Sequence, residues 1–513
     1  MYSRLFSASV FGIDAFIVEI ETHLDNALPL FSIVGLPDST VKESRDRVSA
    51  AIKNSDYIFP TKKITVNLAP ADVRKEGSAF DLPIALGILS AVGFIDNARF
   101  DKIIALGELS LEGGLRPIHG TLSLALKAKE AGFEKILVPK NNAEEGALVD
   151  GIDVIPIENL RQAVEYINCD TDIQPCFVDK TDIFNKQLFS SNLNLSDVKG
   201  QENVKRAIEI SAAGGHNILL IGPPGSGKTM LAKRIPSVLP PLTLSESLET
   251  TKIHSIAGLL EKNQALVTER PFRSPHHTIS DAALVGGGMS QIRPGEISIA
   301  HHGVLFLDEL PEFARNVLEV LRQPLEDKRI CISRTRLSVE YPANFMLACS
   351  MNPCPCGNYG DPTKECSCTP TQIQRYLGKV SGPLLDRIDI HTEVPAVKYQ
   401  DLSDKRISES SETVRARVIK AREKQTVRFK DMQGIYKNAD MTTKDIRKFC
   451  HLDEQSQSLL ERAMQKMGLS ARAYDRILKV SRTIADLTNS ENIKSEHISE
   501  AIQYRSLDRE YWK

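Results

Sequence analysis

Long apolar runs are missing from this sequence. No stretch approaches the roughly 18 consecutive apolar residues that a membrane-spanning helix needs, so we expect no membrane span. The amino terminus, MYSRLFSASVFGIDAF, has one early arginine, but Asp14 interrupts its apolar region and no small-residue cleavage site stands out. We therefore expect no signal peptide and a cytoplasmic protein.

The sequence also lacks a strong excess of either charge, internal repeats and low-complexity tracts. Its net charge is −2, so any contact with nucleic acid must use local clusters of lysine and arginine. Nine cysteines, an odd number and mostly clustered, favour reduced thiols or a metal over a disulfide framework. The 513 residues are 42% hydrophobic and 25% charged, which is typical of a globular protein, and the length suggests about three domains.

Three segments with different patterns follow one another. Residues 1–170 alternate short strand-like runs with helical ones, which predicts an α/β domain. Residues 171–195 are polar, without a strong period, and are the predicted linker. Strands and helices alternate again over residues 196–395, and residues 396–513 show apolar residues at the three-to-four spacing of helices.

A complete phosphate-loop motif stands in the middle segment. An apolar run, NILLI, predicts a strand before it and a helix begins after it, as the G-x-x-x-x-G-K-[ST] motif requires. The loop's backbone N–H groups can surround phosphate oxygens, while Lys228 reaches the β- and γ-phosphates and Thr229 offers a hydroxyl to Mg²⁺. An ordinary glycine-rich turn is the alternative, and the flanking elements disfavour it. The predicted nucleotide-binding residues are Gly222, Pro223, Pro224, Gly225, Ser226, Gly227, Lys228 and Thr229.

An acidic pair completes the predicted ATP site. In GVLFLDEL, Asp308 and Glu309 follow an apolar strand. Asp308 can hold Mg²⁺ and Glu309 can polarise the attacking water. A solvated turn is the alternative, but a phosphate loop already requires a metal-holding carboxylate on a neighbouring strand. We therefore predict a Mg²⁺-dependent ATPase.

Three polar residues after this pair indicate which class of ATPase this is. Asn352 follows the apolar strand FMLACS and could orient the water or contact the γ-phosphate. Arg387 lies in SGPLLDRIDI, and Arg472 begins a later helix, where it would stand over the nucleotide if that segment folds back as a lid. An asparagine before proline is usually a turn former, and a lone arginine is usually a surface charge. The order of all five elements nevertheless matches an AAA+ ATPase, in which an arginine acts on the γ-phosphate of a neighbouring subunit.

Four longer strings resemble one family. They are RPFRSPHHTISDAALVGGG, PGEISIAHHGVLFLDELPEF, ACSMNPCPCGNYGDPTKECSC and SGPLLDRIDI. The chain resembles the magnesium-chelatase-like AAA+ ATPases of the YifB/ComM family over all three segments. The resemblance implies an AAA+ core with a carboxy-terminal helical lid, ATP and Mg²⁺ as cofactors, and a homo-hexamer that acts on single-stranded or branched DNA. Such proteins promote branch migration while transforming DNA is integrated.

A basic segment is the predicted DNA contact. LEDKRICISRTRLSVEYPANF reads as a hairpin that carries Lys328, Arg329, Arg334 and Arg336. Similar insertions in related rings, such as the minichromosome maintenance helicase, point into the central channel, where cations can follow a phosphate backbone. The alternative is a basic solvated edge strand that resists aggregation.

Two groups of possible metal ligands occur in the middle segment. Cys354, Cys356, Cys366 and Cys368 form two C-x-C pairs in a polar loop, which gives the ligand count of a structural Zn²⁺ site. Plain reduced cysteines are the alternative, since the spacing departs from C-x₂-C. The pairs His276-His277 and His301-His302 have no carboxylate or cysteine at helical spacing, so we expect packing and hydrogen bonding from them.

In the first segment, the strings GELSLEGGLRPIHGTLSLALKAKEAGFEKILVPKNN and KEGSAFDLPIALG resemble the proteolytic domain of Lon-type proteases, a ribosomal S5-type α/β fold. A serine–lysine protease needs an amine to activate its hydroxyl. Here Leu122 stands at the lysine position and Ser78 does not clearly match the nucleophile. We therefore expect a fold retained for assembly or DNA contact, and peptidase activity is the less favoured alternative. A further alternative for the whole chain is an ATP-driven remodelling chaperone of the chelatase type.

Overall fold

The computed structural model describes residues 1–187, 193–261, 264–288, 292–334, 337–360, 364–396, 408–432 and 434–507, with the backbone alone at 185–187, 334 and 337. Among the helices in these ranges, none is long and apolar enough to cross a membrane.

The amino-terminal part of the chain forms a seven-stranded sheet. Its strands are β1 Tyr2–Phe11, β2 Asp14–Asp25, β3 Leu30–Val34, β4 Lys63–Ala69, β5 Ile103–Ala105, β8 Lys135–Pro139 and β9 Asp153–Ile157, and a separate small hairpin joins β6 Glu108–Leu109 to β7 Leu115–Arg116. The strands lie in the order β3-β4-β2-β1-β5-β8-β9. β1 and β2 pair antiparallel around Gly12, whose φ of +65° suits a residue without a Cβ.

Helices cover this sheet. They are α1 Ser39–Asn54, α2 Asp81–Val92, α3 Thr121–Glu130, α4 Ala143–Gly146 and α5 Leu160–Asn168, and α6 Lys180–Gln187 follows them. α2 is buried along almost its whole length, because its sequence, DLPIALGILSAV, is apolar on every face. Asp38 caps α1 by accepting a hydrogen bond from the N–H of Val41 at 2.7 Å.

A five-stranded parallel sheet forms the centre of the molecule. Its strands are β10 Ile218–Ile221, β11 Phe272–Arg273, β14 Val304–Leu307, β17 Met346–Met351 and β18 Ile390–Glu393. They lie in the order β11-β14-β17-β10-β18, and every neighbouring pair is parallel. Every residue of β10, β14 and β17 is buried, as expected for strands covered on both faces. The carboxyl ends of these three strands therefore meet at one edge.

Short helices and two hairpins surround the central sheet. The helices are α7 Glu202–Gly214, α8 Lys228–Ala232, α9 Ile235–Val238, α10 Leu244–Ala257, α11 Asp281–Val285, α12 Glu296–Ile299, α13 Arg315–Glu319, α14 Arg322–Asp327, α15 Pro370–Leu377 and α16 Gly382–Leu385. The hairpins pair β12 Gly286–Gly287 with β13 Arg293–Pro294, and β15 Arg329–Arg334 with β16 Leu337–Pro342.

The last part of the described chain is helical. Its helices are α17 Ser411–Arg428, α18 Thr443–Phe449, α19 Glu454–Met467, α20 Ala471–Leu487 and α21 Ser495–Gln503. Their buried side chains share one hydrophobic core with α7 and with one face of the central sheet. Across this junction the ring of His216 lies 2.8 Å from the hydroxyl of Thr483 on α20. The helices thus lie beside the amino-terminal end of β10.

A polar contact joins the first sheet's helices to α10. The hydroxyl of Ser255 accepts a hydrogen bond from the N–H of Gly120 at 2.8 Å and donates one to Glu145 at 2.5 Å. Burial raises the pKa of Glu145, so this carboxyl depends on the hydroxyl and on the N–H of Leu122 to satisfy it. The amino-terminal part is therefore held to the central part by buried hydrogen bonds.

Candidate nucleotide site

The phosphate loop lies between β10 and α8. Gly225 and Gly227 have φ values of +78° and +90°, which side chains with a Cβ rarely adopt. A Cβ at Gly222 would stand 2.2 Å from the carbonyl oxygen of Val394, so only glycine fits there. The loop is thus shaped by backbone requirements that explain its glycines.

Lys228 is folded into the loop. Its Nζ donates hydrogen bonds at 2.8 Å to the carbonyls of Gly222 and Pro223 and at 3.1 Å to the side-chain oxygen of Asn352. Burial lowers the pKa of this amine. Asn352 directly follows β17, next to β10 in the sheet, so the sheet itself brings the predicted lysine and asparagine together.

The predicted metal ligands also meet. Asp308 follows β14, and its Oδ2 accepts a hydrogen bond from the hydroxyl of Thr229 at 2.7 Å. A hydroxyl and a carboxylate at this distance form the donor set that Mg²⁺ uses beside a phosphate loop. These two residues therefore fit the metal that the motif implies.

Glu309 stands beside this pair with its side chain about half exposed. Its φ of +55° is unusual for a residue with a Cβ, and such backbone strain clusters at active sites. Its N–H lies 3.1 Å from Asp308 Oδ1 and 3.3 Å from the Ser350 hydroxyl, which also donates to Asp308. His277 Nδ1 lies 3.8 Å from the Glu309 carboxylate. Sequence reasoning missed Ser350, although it lies only two residues before Asn352, and did not indicate Glu309 as the neighbour of His277.

Arg387 lies at the opposite end of the sheet. Asn217 precedes β10, and its side-chain amide donates to the carbonyl of Arg387 at 2.8 Å. From Asn217 to Gly222 the chain covers about 16 Å, at about 3.3 Å per residue. The guanidinium donates to Glu326 and, at 2.6 Å, to the carbonyl of Pro383. Arg387 therefore does not face the phosphate loop of its own chain.

Arg472 lies at this same end. Its Nη1 is 3.6 Å from Asp386, the residue before Arg387. Arg472 therefore does not stand over the phosphate loop of its own chain, and its role at the nucleotide stays a prediction. The reason is that α20 packs against α7 and His216, at the start of β10 and away from the loop.

The four predicted zinc ligands converge. Their sulfur atoms all lie within 4.8 Å of one another. The distances from Cys354 Sγ to the sulfurs of Cys356 and Cys366 are 3.3 and 3.7 Å, and four Zn–S bonds of about 2.3 Å in a tetrahedron require about 3.8 Å. A Cβ at Gly357 would stand 2.4 Å from Pro224, so this loop packs directly on the phosphate loop.

The histidine pair at 301–302 meets a carboxylate that the sequence did not indicate. Glu249 of α10 lies 3.4 Å from His301 Nε2 and 2.9 Å from His302 Nε2. The Nδ1 of His301 accepts a hydrogen bond from the N–H of Asn344 at 3.0 Å, so its neutral ring carries the proton on Nε2 and donates it to Glu249. This tautomer cannot ligate a metal through Nε2, and the cluster is a hydrogen-bond network.

The predicted DNA-contacting residues are divided. Arg329 begins β15 and is exposed, 3.3 Å from Glu340 on the facing strand. Lys328 lies before the hairpin, and its Nζ is 2.7 Å from the buried Asp440 carboxylate. Its assignment to the hairpin is wrong, because the fold brings the 437–440 turn beneath it. The side chain of Arg334 and all of Arg336 lie outside the described residues.

The residues considered for peptidase chemistry are not joined as a serine–lysine pair. The hydroxyl of Ser78 donates to the carboxylate of Glu108. Leu122 lies in the first turn of α3, is buried in the core and has no proton-accepting group. The nearby Lys75 donates instead to the carbonyls of Pro70 and Val73.

Comparison with known proteins agrees with this geometry. Family models described as magnesium chelatase subunit ChlI match residues 194–402 and 20–142, and one for the carboxy-terminal part of that subunit matches residues 408–505. The chain is 45% identical over 508 residues to the YifB protein of Escherichia coli, covering 99% of this chain and 97% of that one. It is 44% identical over 512 residues to the competence protein ComM of Haemophilus influenzae, covering 98% and 97%.

A more distant relative carries the family name itself. The chain is 24% identical over 225 residues to the magnesium-chelatase 38 kDa subunit of Rhodobacter capsulatus, covering 41% of this chain and 61% of that one. The first two relatives are similar to this chain over its full length, and three family models match it, so both comparisons indicate the same family. Membership of this family implies ATPase activity. The chain therefore belongs to the YifB/ComM family of magnesium-chelatase-like AAA+ ATPases.

Proposed function

We propose that this chain is an ATP-driven DNA motor that works in the cytoplasm as a homo-hexamer and catalyses branch migration during recombination. The observation that carries the proposal is the separation of the phosphate loop from Arg387 and Arg472 along β10. Since neither arginine faces its own loop, their positions support action on the site of an adjacent protomer. A closed ring gives every site one such neighbour.

Within one protomer, the chain grips and orients the nucleotide. Backbone N–H groups of residues 222–227 and the amine of Lys228 bind the phosphates. Thr229 and Asp308 hold Mg²⁺, which when bound neutralises phosphate charge. Glu309 accepts a proton from the attacking water, and Asn352 orients that water or contacts the γ-phosphate.

The neighbour completes the site. Arg387 and Arg472 approach the γ-phosphate from the adjacent protomer and stabilise the charge that develops as the terminal P–O bond breaks. Hydrolysis then depends on the contact between protomers, so each turnover can change that contact. This dependence is what converts ATP cleavage into movement around a ring.

We further propose that the β15–β16 hairpin contacts DNA inside the ring through Arg329 and, outside the described residues, Arg334 and Arg336. The exposed guanidinium of Arg329 suits a sequence-independent phosphate contact. The relative named as a competence protein supports a role in the integration of transforming DNA. The test is to measure ATP turnover with and without single-stranded DNA or a synthetic Holliday junction. A turnover rate that changes with neither DNA would contradict the proposal of a DNA motor.

A remodelling chaperone is the second candidate, because chelatase family models match all three parts of the chain. Both functions use the same hydrolysis cycle, so the ATP site does not separate them. Indifference of turnover to DNA, together with nucleotide-dependent binding of a partner protein, would favour the chaperone.

The remaining parts have supporting roles in this proposal. We propose domains at 1–170, 196–395 and 396–513, with 171–195 as a linker. The first is a Lon-protease-like fold used for assembly or DNA contact, and the last is a helical lid. Incubation with ATP and an unfolded protein should release no peptides; peptides that disappear in Ser78→Ala would show peptidase activity.

We also propose that the four-cysteine loop holds one structural Zn²⁺. The convergence of its sulfur atoms supports this, as does its packing on Pro224. A bound ion would fix the loop and thereby the phosphate loop beside it.

A further inference from the structure

Arg387 lines a cavity that contains several charged side chains. Its volume is about 270 Å³, and it lies where the end of α14, the start of β17 and the 437–440 turn meet α20. Five cations line it: Lys328, Arg387, Lys437, Arg476 and Lys479. Three carboxylates line it as well: Glu326, Asp389 and Asp440. The cavity therefore has an excess of positive charge.

The carboxylates are already engaged. Their ion pairs join Glu326 to Arg387, Asp389 to Arg476, and Asp440 to Lys328. Lys479 is satisfied in part by the carbonyl of Ala439, to which it donates at 2.9 Å. Within the described part of the chain, Lys437 and Lys479 form no ion pair, so the excess charge falls on these two lysines.

Lys437 packs against the end of α7. Its Cδ packs so closely on Gly215 that a Cβ there would stand 2.2 Å away. Burial lowers the pKa of its amine to about 8, and the Asp440 carboxylate that opposes this shift is shared with Lys328. A desolvated ammonium without its own counter-ion destabilises a fold unless an anion enters to pair with it.

Two further hydrogen-bond donors that line the cavity are unsatisfied. Among the described residues, the Nε groups of Arg387 and Arg476 are buried without a hydrogen-bond partner. Buried donors are rarely left unsatisfied when the site is filled. The volume is below that of pockets for drug-sized ligands and suits a phosphate group.

We propose that this cavity binds the terminal phosphates of the nucleotide held by the neighbouring protomer, with Lys437 as its central cation beside Arg387. This inference rests on the proposed function, in which Arg387 serves an adjacent site, and it extends that site to the helical part of the chain. Each protomer would then offer its neighbour an arginine and a lysine that two different parts of the fold carry.

The test removes the charge of Lys437. For Lys437→Met we expect kcat to fall about 100-fold, the loss typical of one donor to transition-state charge, while the affinity of the same protomer for a fluorescent ADP analogue stays unchanged. Lys437→Arg should retain most activity. Lys448→Met, which removes an exposed lysine of α18 outside the cavity, is the matched control and should hydrolyse ATP normally.

A mixing experiment assigns the lysine to the neighbour. Lys437→Met mixed with Lys228→Ala should regain turnover, because the first variant has an intact phosphate loop and the second an intact cavity. Lys437→Met mixed with Arg387→Ala should regain none, since both cavities are incomplete. Recovery in the second mixture, or none in the first, would overturn the assignment.

Two outcomes separate this inference from the proposed function. Normal turnover by Lys437→Met overturns the inference alone, whereas normal turnover by Arg387→Ala overturns the proposed function as well. Calorimetry with inorganic phosphate tests the other source of the anion: if Lys437→Met loses phosphate binding but keeps its kcat, the cavity serves free phosphate. Loss of an unpaired buried charge should not lower the melting temperature; if Lys437→Met nevertheless fails to fold, Lys479→Met in the same mixtures decides the question.

Discussion

The side-chain amide of Asn217 donates a hydrogen bond to the backbone carbonyl of Arg387 at 2.8 Å. The side-chain oxygen of Asn217 accepts a hydrogen bond from the N–H of Leu347, also at 2.8 Å. Asn217 immediately precedes β10, and the phosphate loop immediately follows it. One buried strand therefore has the phosphate loop at one end and, at the other, the contact that positions Arg387, which we propose acts on the site of the next protomer. A displacement of that strand would alter both sites together.

Mixed rings test this arrangement directly. Lys228→Ala and Arg387→Ala should each be inactive alone, the first because its nucleotide is not gripped and the second because it cannot complete a neighbour's site. Mixed in equal amounts, they should regain a part of wild-type ATP turnover. No recovery at any ratio would contradict a site shared between protomers.

Glu309→Gln should keep nucleotide binding and lose hydrolysis. The amide preserves the shape of the side chain but cannot accept the proton of the attacking water, so kcat should fall by about 100-fold or more. Measured binding of a fluorescent ATP analogue should stay within about twofold, in keeping with an effect on the transition state alone. Glu312→Gln, a half-exposed glutamate three residues later that pairs with Lys379, is the matched control. Equal losses in the two variants would rule out Glu309 as the base.

The cysteine loop should contain one zinc ion per protomer. We expect Cys356→Ser and Cys368→Ser to lose that zinc and to melt at a lower temperature, because thiolate ligands to a structural metal stabilise the fold. Atomic absorption on purified protein measures the metal. Cys331→Ser, at an exposed cysteine of the hairpin outside the cluster, should change neither quantity. A wild-type protein free of zinc would leave the loop as reduced cysteines.

His301 should make stability depend on pH between 6.5 and 4. Burial lowers its pKa from 6.5 to about 4, so the unfolded chain binds a proton there before the folded chain does. The contribution of neutral His301 to the free energy of unfolding is present above pH 6.5 and is lost as the pH falls towards 4. It amounts to at most about 3 kcal/mol. As the pH is lowered over this range, the melting temperature of the wild type should therefore fall more steeply than that of His301→Gln. Parallel curves for the two proteins would contradict it.

Much of the ATP site was predictable because its signals are local. The phosphate loop lies between a strand and a helix that adjoin it in sequence, and Asp308 and Asn352 each directly follow an apolar strand. Parallel strands place such residues at one edge, which is why Thr229 meets Asp308 and Lys228 meets Asn352. Ser350 escaped notice because serine within an apolar strand has no motif of its own.

The prediction that failed, and the contacts that the sequence did not indicate, depended on how distant segments pack. Lys328 was assigned to the hairpin from its neighbours in sequence, and a turn more than a hundred residues later decided its partner, Asp440. Glu249 joins His301 and His302 through tertiary packing, with no spacing that would indicate it. The docking of α20 beside His216 places Arg472 away from the phosphate loop of its own chain, a position that no signal in the sequence indicates.

The amino-acid sequence by itself determined the chemistry, since a phosphate loop, an acidic pair and a cysteine loop follow from residues close together in the chain. Only the tertiary structure decided which groups serve one protomer and which face away from it. The physical reason is that β10 is a buried strand, and the residues on either side of it, Asn217 and Gly222, lie about 16 Å apart, a distance that no side chain at one end spans to reach the other. The parallel order of the sheet, which depends on the packing of all five strands, thus keeps Arg387 away from the phosphate loop of its own chain.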